Sequence, residues 1–261
     1  MTATMEGKRP FDGKVAFVAG GYGGIGEAIA KALAERGATV VVAGRDAGKG
    51  GELARSIVAT GGAADAVAFD ARDVPSIHAA VGEAAKRHGR LDYLVNAAGT
   101  QQIEPLVDVT EEAFDRVLDV NLKAAMFLAQ AVARVQIAGG HGGRHVHLLS
   151  VRAQLGMRDR GYSAYCSSKG GLVLLVKQHA VELARHGINV NGVAPTVVNT
   201  RMASDWSKDP EIWRRLIERI PLGRVAEVED VTGPVLFFLG PETAFVTGQV
   251  LYVDGGITAS L

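Results

Sequence analysis

The sequence has little cysteine, no excess of charge of either sign and no long hydrophobic run. Its 261 residues include one cysteine, Cys166, which excludes an intrachain disulfide and a thiolate-cluster metal site and suits a reducing cytoplasm. Lysine plus arginine and aspartate plus glutamate each number 28, so a nucleic-acid or acidic-membrane surface is not expected. No apolar run approaches the roughly 20 residues that span a bilayer, and the first residues lack the apolar stretch of a secretory signal. These absences point to a small-molecule partner.

Glycine, by contrast, is abundant, with 33 residues. Because glycine loses more conformational freedom on folding than other residues, such an excess indicates tight turns and close approaches of the backbone to a ligand. Hydrophobic residues make up 48% of the chain and charged residues 21%, which is the balance of a globular protein.

Short β-branched runs alternate with longer helical patterns along the chain, a pattern typical of a parallel sheet. The predicted strands are Val15–Ala19, Thr39–Ala43, Ala66–Phe69, Asp92–Val95, His145–Leu149, Ile188–Val193 and Val250–Val253. The predicted helices include Ile25–Arg36, Pro75–His88, Glu111–Gln136, Ser163–His186 and Val228–Leu239. We expect one α/β domain over residues 1–261, of the Rossmann type, with a doubly wound seven-stranded parallel sheet and helices on both faces. The least regular segment, residues 196–225, is predicted to be a substrate loop.

The first predicted strand leads directly into a glycine turn and then a helix. The turn holds Gly20-x-x-x-Gly24-x-Gly26, with Tyr22 and Ile25 among the intervening residues. Glycines let the backbone approach a pyrophosphate, and the N–H groups at a helix N-terminus favour its negative charge. The turn therefore predicts a dinucleotide site, with a glycine-rich turn that holds no ligand as the alternative.

The end of the second predicted strand bears on the choice of coenzyme. Enzymes that use NAD place an acidic residue there to hold the ribose hydroxyls, whereas this chain has Gly44 followed by Arg45. A guanidinium suits a 2′-phosphate, so NADP(H) is favoured, NAD(H) stays possible, and a solvated Arg45 without a ligand is the alternative. Asp70 is expected either to bind the adenine amino group or to cap the following segment.

Two residues of a helical stretch, Tyr165 and Lys169, are four apart and share one helix face. A phenol is a poor base at neutral pH, and an adjacent ammonium is expected to lower its pKa. Tyr165 could then exchange a proton with an alcohol or carbonyl oxygen while hydride moves to or from a nicotinamide. Ser150, after the fifth strand, is placed to hydrogen-bond the substrate oxygen.

These motifs resemble the short-chain dehydrogenase/reductase family, most closely its sugar, polyol and 3-oxoacyl reductase members. The resemblance spans nearly the whole chain and is carried by the glycine turn, Asn96-Ala97-Ala98-Gly99, Asn121, Ser150, Tyr165-Cys166-Ser167-Ser168-Lys169 and the turn at Pro195.

The resemblance implies a role for each matching residue. Tyr165 corresponds to the general acid/base, Ser150 to the partner of the substrate oxygen, Lys169 to the lysine that lowers the tyrosine pKa and binds ribose, and Asn121 to the proton-relay asparagine. The cofactor-binding residues are expected to include Asn96, Gly99, Lys169, Pro195, Val198 and Thr200. The closing Val253-Asp254-Gly255-Gly256 is typical of members that form homotetramers.

Four departures from the family pattern concern the substrate more than the reaction. Ala19, Ala97 and Thr196 replace a usual threonine, asparagine and glycine, and the stretch from Ser150 to Tyr165 is longer than is common.

Polar residues near the predicted site indicate a hydroxylated substrate that could be anionic, such as a sugar acid. The predicted substrate-binding residues are Gln101, Arg152, Tyr165 and Arg201. Arginine binds carboxylates bidentately, although arginines in an exposed loop are often simply solvated. We therefore expect a nicotinamide-dependent oxidoreductase that acts on a secondary alcohol or ketone of a sugar, polyol or sugar acid.

Other functions remain open at this stage. A 3-oxoacyl carrier-protein reductase would use the same residues, and a nucleotide-sensing scaffold without enzymatic activity would need only the dinucleotide site. No metal is expected, because His141, His145 and His147 lack a carboxylate or thiol to complete a ligand set. Cys166 is expected to be a packing residue, since no histidine is placed to activate it.

Overall fold

The fold is built on one sheet of seven parallel strands in the order β3-β2-β1-β4-β5-β6-β7. The computed structural model describes residues 9–158, 160–200 and 208–260. The strands are β1 Val15–Ala19, β2 Thr39–Gly44, β3 Ala63–Ala68, β4 Tyr93–Asn96, β5 Gly143–Leu148, β6 Ile188–Pro195 and β7 Val250–Val253. This order confirms the doubly wound Rossmann-type fold predicted from the sequence.

Helices cover both faces of the sheet. Their bounds are α1 Gly24–Glu35, α2 Ala47–Ala59, α3 Val74–His88, α4 Glu111–Leu118, α5 Ala124–Gly139, α6 Ser163–Leu183, α7 Pro210–Glu218 and α8 Val228–Leu239. Val18 of β1 faces a core shared with α1, α2 and α8, whereas its neighbour Phe17 faces the core shared with α3 and α5. Since successive side chains of a strand point to opposite faces, a strand buried on both sides must be apolar throughout.

Several elements differ from the sequence prediction. β3 begins three residues earlier than expected, because this edge strand is alanine-rich and only partly buried and so carries a weak periodic signal. The predicted helix Glu111–Gln136 is interrupted by a π-helical turn at Asp119–Lys123. Part of the predicted loop over 196–225 is helix α7, because Asp209 caps its first turn and Pro210 occupies the first helical position.

The site is positioned by strands that end at the same edge of the sheet. The register pairs Ala19 of β1 with Asn96 of β4, and Asn96 with His147 of β5. The glycine turn, the Asn96 segment and Ser150 therefore follow neighbouring strands at the carboxyl edge, where open α/β sheets bind their ligands. Within the described ranges, no helix has the length and apolar character needed to cross a membrane.

Candidate active site

Close contacts in the glycine turn leave no room for a side chain at Gly20 or Gly26. Gly20 has a φ of +73°, and a Cβ there would lie 2.7 Å from the backbone nitrogen of Ala98. A Cβ at Gly26 would lie 2.2 Å from the carbonyl oxygen of Gly20. Helix α1 starts at Gly24 without a side-chain cap, so backbone N–H groups of its first turn are available to an anion.

The residues predicted to bind the adenosine part of the coenzyme, including Tyr22, Arg45 and Asp70, are referred to as the adenosine end of the site. Tyr22 packs against Gly44, and its hydroxyl accepts a hydrogen bond of 2.7 Å from the backbone N–H of Asp46. The carboxylate of Asp70 is held by the Arg72 guanidinium, which lowers the pKa of Asp70 together with a smaller contribution from Arg45. Arg45 therefore belongs to the same electrostatic neighbourhood as Asp70.

A cleft at the carboxyl edge brings together most of the predicted catalytic and substrate residues. Its empty volume, including space open to solvent, is about 930 Å³. Among the predicted residues, those that line it are Ile25, Gly99, Gln101, Ser150, Arg152, Tyr165, Lys169, Pro195, Val198 and Thr200. Other predicted residues lie outside its lining: Gly20, Gly24 and Gly26 in the turn, Tyr22, Arg45 and Asp70 at the adenosine end, and the buried Asn96 and Asn121. Arg201 falls outside the described residues.

Ser150, Tyr165 and Lys169 meet on one wall of this cleft. Ser150 lies just beyond β5, and its hydroxyl accepts the backbone N–H of Arg152 at 3.2 Å. Tyr165 lies in the first turn of α6, and Lys169 follows one turn later. The Lys169 Nζ lies 5.7 Å from the centre of the Tyr165 ring and donates to the carbonyl oxygen of Leu148 at 2.8 Å.

The pKa of Tyr165 differs from the sequence prediction. Burial raises it to about 12, and the interaction with the Ser150 hydroxyl only partly opposes this effect. The sequence predicts a lowered pKa, whereas burial dominates in this structure and the net direction is upward. Tyr165 is therefore held as the neutral phenol, the form that can donate a proton to a carbonyl oxygen.

Lys169 is a buried cation. It is 4% exposed, and burial lowers its pKa to about 8. Among the described residues no carboxylate forms an ion pair with it, and its single hydrogen bond leaves two N–H donors unused. A polar ligand in the cleft would satisfy these donors, which fits the ribose-binding role implied by the family resemblance.

The side chain of Asn121 forms hydrogen bonds with the backbone of the cleft wall. It lies in the π-helical turn, accepts from the backbone N–H of Thr100 at 2.8 Å and donates to the Thr100 carbonyl oxygen at 2.9 Å. It also donates to the Ser168 hydroxyl at 3.0 Å. The side chain thus ties the segment after Gly99 to α6, and its role in proton transfer stays a prediction.

Asn96 has a similar supporting position below the cleft. Its amide lies 3.4 Å from Nδ1 of the buried His147, and its carbonyl oxygen accepts the backbone N–H of Ala98. His145 is also buried, with Nε2 at 2.9 Å from the side-chain oxygen of Gln136. Desolvation lowers the pKa of both histidines, to about 3 for His145, so both are neutral core residues.

The substrate end contains one residue that the sequence analysis missed. Tyr162 packs edge-on against Tyr165, with ring centres 5.8 Å apart, and its hydroxyl donates to the Gln101 side chain at 3.4 Å. Tyr162 lies three residues before Tyr165 at the start of a helix, and this spacing is the feature of the sequence that could have indicated that the two rings are neighbours. The guanidinium of Arg152 donates to the carbonyl oxygens of Leu155 and Gly156, and within the described chain it has no carboxylate partner.

Comparisons with known proteins agree with this geometry. Residues 20–258 match the family model described as Enoyl-(Acyl carrier protein) reductase. The chain is 40% identical to a D-erythrulose reductase of Gallus gallus, over 98% of this chain and all of that protein. It is 37% identical to a sorbitol dehydrogenase of Cereibacter sphaeroides, over 94% of this chain and 97% of that protein.

A solved structure extends the likeness to three dimensions. It is a gluconate 5-dehydrogenase from Burkholderia cenocepacia in complex with NADP and tartrate. The TM-score is 0.92 at 36% identity, covering 96% of this chain and 97% of that one. The fold, the arrangement of Ser150, Tyr165 and Lys169 and these relatives establish that the chain belongs to the short-chain dehydrogenase/reductase family. It is an oxidoreductase that uses a nicotinamide cofactor.

Proposed function

We propose that this protein catalyses NADP(H)-dependent interconversion of a secondary alcohol and a ketone in a sugar, polyol or sugar acid. The observation that carries the proposal is the meeting of Ser150, Tyr165 and Lys169 on one wall of a cleft whose lining also includes Ile25, which follows Gly24. The relatives that act on erythrulose, sorbitol and gluconate support the substrate class.

The coenzyme fits the residues that are present. The uncapped start of α1 would hold the pyrophosphate, and the unused N–H donors of Lys169 would hold ribose hydroxyls. Gly99 lines the cleft beside Lys169, and a Cβ there would lie 3.6 Å from Oδ1 of Asn121 and 3.9 Å from Lys169 Nζ, which are ordinary contact distances. Gly44 and Arg45 favour NADP(H) over NAD(H), and a solved relative holds NADP. The bound nicotinamide would supply or accept the hydride.

The side chains of the cleft account for the proton in the reduction of a ketone. Ser150 donates a hydrogen bond to the ketone oxygen, and Tyr165 gives that oxygen its phenolic proton as negative charge develops. The charged Lys169, 5.7 Å from the ring centre, stabilises the resulting phenolate. Burial raises the pKa of Tyr165 to about 12, so the phenol carries the proton that this step transfers.

Part of the proposal concerns the substrate. Arg152 lines the cleft as a partly buried cation, it has no acidic partner among the residues that the structure describes, and burial lowers its pKa. A substrate carboxylate would supply the missing charge, so sugar acids are proposed beside neutral sugars. Gln101 and Tyr162 offer hydrogen bonds to substrate hydroxyls, and Arg201 remains a proposed further contact.

We also propose a cytoplasmic homotetramer. The single cysteine suits a reducing compartment. Exposed apolar side chains on two separate faces would be covered by further copies: Leu174 and Val181, two turns apart on α6, and Phe237, Phe245 and Leu251 near the edge strand β7. Sedimentation should give the mass of four chains, and introducing Asp at Leu174 should reduce it; a wild-type monomer would refute the assembly.

A substrate panel tests the function. The purified protein is given NADPH or NADH with neutral ketoses, keto acids of sugars, an acetoacetyl thioester or a crotonyl thioester, and nicotinamide absorbance is followed. We expect turnover of ketoses or sugar keto acids with NADPH. Faster turnover of the acetoacetyl thioester would select the 3-oxoacyl reductase, and turnover of the crotonyl thioester would select an enoyl reductase. Coenzyme binding without turnover of any compound would favour the nucleotide-sensing scaffold.

A further inference from the structure

The space at the end of β2 is filled by a side chain from the glycine turn. A Cβ placed on Gly44 would lie 2.4 Å from Cε1 and 2.9 Å from Cζ of Tyr22. Both distances are below 3.0 Å, so a side chain at position 44 requires the Tyr22 ring to move from where it lies. The glycine at position 44 and the position of the Tyr22 ring are therefore coupled.

The ring is held in this position by the start of α2. The Tyr22 hydroxyl oxygen accepts the backbone N–H of Asp46 at 2.7 Å. Asp46 is itself fixed, because its carboxylate caps α2 through the backbone N–H of Lys49 and lies 3.7 Å from Lys49 Nζ. Moving the ring away from Gly44 would break its hydrogen bond to the residue that begins the helix.

One donor of Tyr22 is left unused by this arrangement. The oxygen accepts from Asp46, and among the described residues its own O–H proton has no acceptor. The charged groups near the end of β2 are Arg45, Asp46, Lys49, Asp70 and Arg72. Both carboxylates are engaged, Asp46 by Lys49 and Asp70 by Arg72. The Arg45 side chain forms neither an ion pair nor a hydrogen bond within the described part of the chain.

From these contacts we propose that Tyr22 is a coenzyme specificity-determining residue. Its ring excludes the acidic side chain that NAD-dependent enzymes place at the end of β2, and its O–H donates to the 2′-phosphate beside Arg45. This inference rests on the proposed use of NADP(H). If Arg45 alone set the preference, the Tyr22 ring would not matter to an acid at position 44. With Tyr22 as a determinant, an acid at position 44 creates an NADH site only when the tyrosine is also removed.

The test is direct binding of NADPH and NADH, measured by calorimetry without substrate. The variants are Gly44→Asp, Tyr22→Gly, the Tyr22→Gly/Gly44→Asp double variant and Tyr22→Phe, with Tyr252→Phe on the opposite edge strand as the matched control. We expect the double variant to bind NADH more tightly than the wild type does. Gly44→Asp alone should gain no NADH affinity.

The Tyr22→Phe variant isolates the hydroxyl, because it keeps the ring. We expect its NADPH affinity to fall roughly tenfold and its NADH affinity to fall much less, while Tyr252→Phe changes neither. Thermal unfolding checks that each variant is folded. If Gly44→Asp does not fold, Tyr22→Phe and Tyr22→Gly still test the proposal. Tyr22→Gly is then expected to lose its preference for NADPH over NADH.

Two results would overturn the inference. Gly44→Asp binding NADH as tightly as the double variant would mean that the ring is no barrier, and an unchanged NADPH/NADH ratio in Tyr22→Phe would mean that the hydroxyl does not reach the phosphate. A wild-type protein that prefers NADH, or binds neither coenzyme, would instead refute the proposed function on which the inference rests.

Discussion

Replacing Lys169 with methionine should stabilise the coenzyme-free protein while abolishing its activity. Lys169 is 4% exposed, keeps one hydrogen bond to the Leu148 carbonyl oxygen and has a pKa lowered by burial to about 8. A methionine of similar length would occupy the same space without a charge. Replacement of a buried charge by an apolar side chain is often stabilising for this reason.

The size of the effect follows from the pKa. A fall from 10.5 to about 8 corresponds to about 3 kcal/mol of unfavourable folding free energy at pH 7, where the amine is charged in both states. Because the folded-state pKa is the lower one, the folded protein releases its proton first as pH rises. The penalty therefore diminishes between pH 8 and 10.5.

The assay is urea unfolding of the coenzyme-free wild type and Lys169→Met at several pH values. We expect the variant to be more stable by up to about 3 kcal/mol at pH 7, and this advantage to shrink by about 2 kcal/mol at pH 9.5. Lys177→Met, which replaces an exposed lysine of the same helix, is the matched control and should give no such trend. A gap between wild type and Lys169→Met that does not change with pH would refute the reasoning.

Three further predictions concern the cleft. The rate of ketone reduction should fall as pH rises through about 8, because Lys169 then loses the charge that stabilises the phenolate; a rate that climbs through this range would contradict it. Gly26→Ala should abolish coenzyme binding in calorimetry, since its Cβ would lie 2.2 Å from the Gly20 carbonyl oxygen, and normal binding would show that the turn can shift. Asn121→Leu should lower the unfolding free energy by about 2–4 kcal/mol, because both backbone groups of Thr100 lose their partner, and a loss below about 0.5 kcal/mol would argue against this bridge.

Much of the fold could be predicted because the central strands are buried on both faces. The run Val15–Ala19 is apolar throughout and matches β1 residue for residue. The start of β3 is predicted too late because its first residues are two alanines and an aspartate, which carry little strand signal, and the strand is only partly buried. The π-helical turn could not be predicted either, since the apolar helical pattern continues through it on both sides.

The sequence identified the residues of the site more readily than their pKa values and side-chain contacts. Spacing along α6 places Tyr165 and Lys169 on one helix face. The direction of the Tyr165 pKa shift depends on how deeply the folded chain buries the phenol, which spacing along the sequence does not give, so the predicted direction was wrong. The contact between Tyr22 and Gly44 likewise arises only when β1 and β2 lie side by side.

The proposed mechanism requires Tyr165 to transfer the proton that accompanies hydride transfer. Single-turnover reduction of a ketone by NADPH-loaded Tyr165→Phe tests it most directly, with NADPH affinity measured separately by calorimetry. We expect an NADPH affinity close to that of the wild type and a hydride-transfer rate lower by roughly 10²–10⁴-fold. A variant that binds NADPH normally and reduces the ketone at the wild-type rate would contradict it.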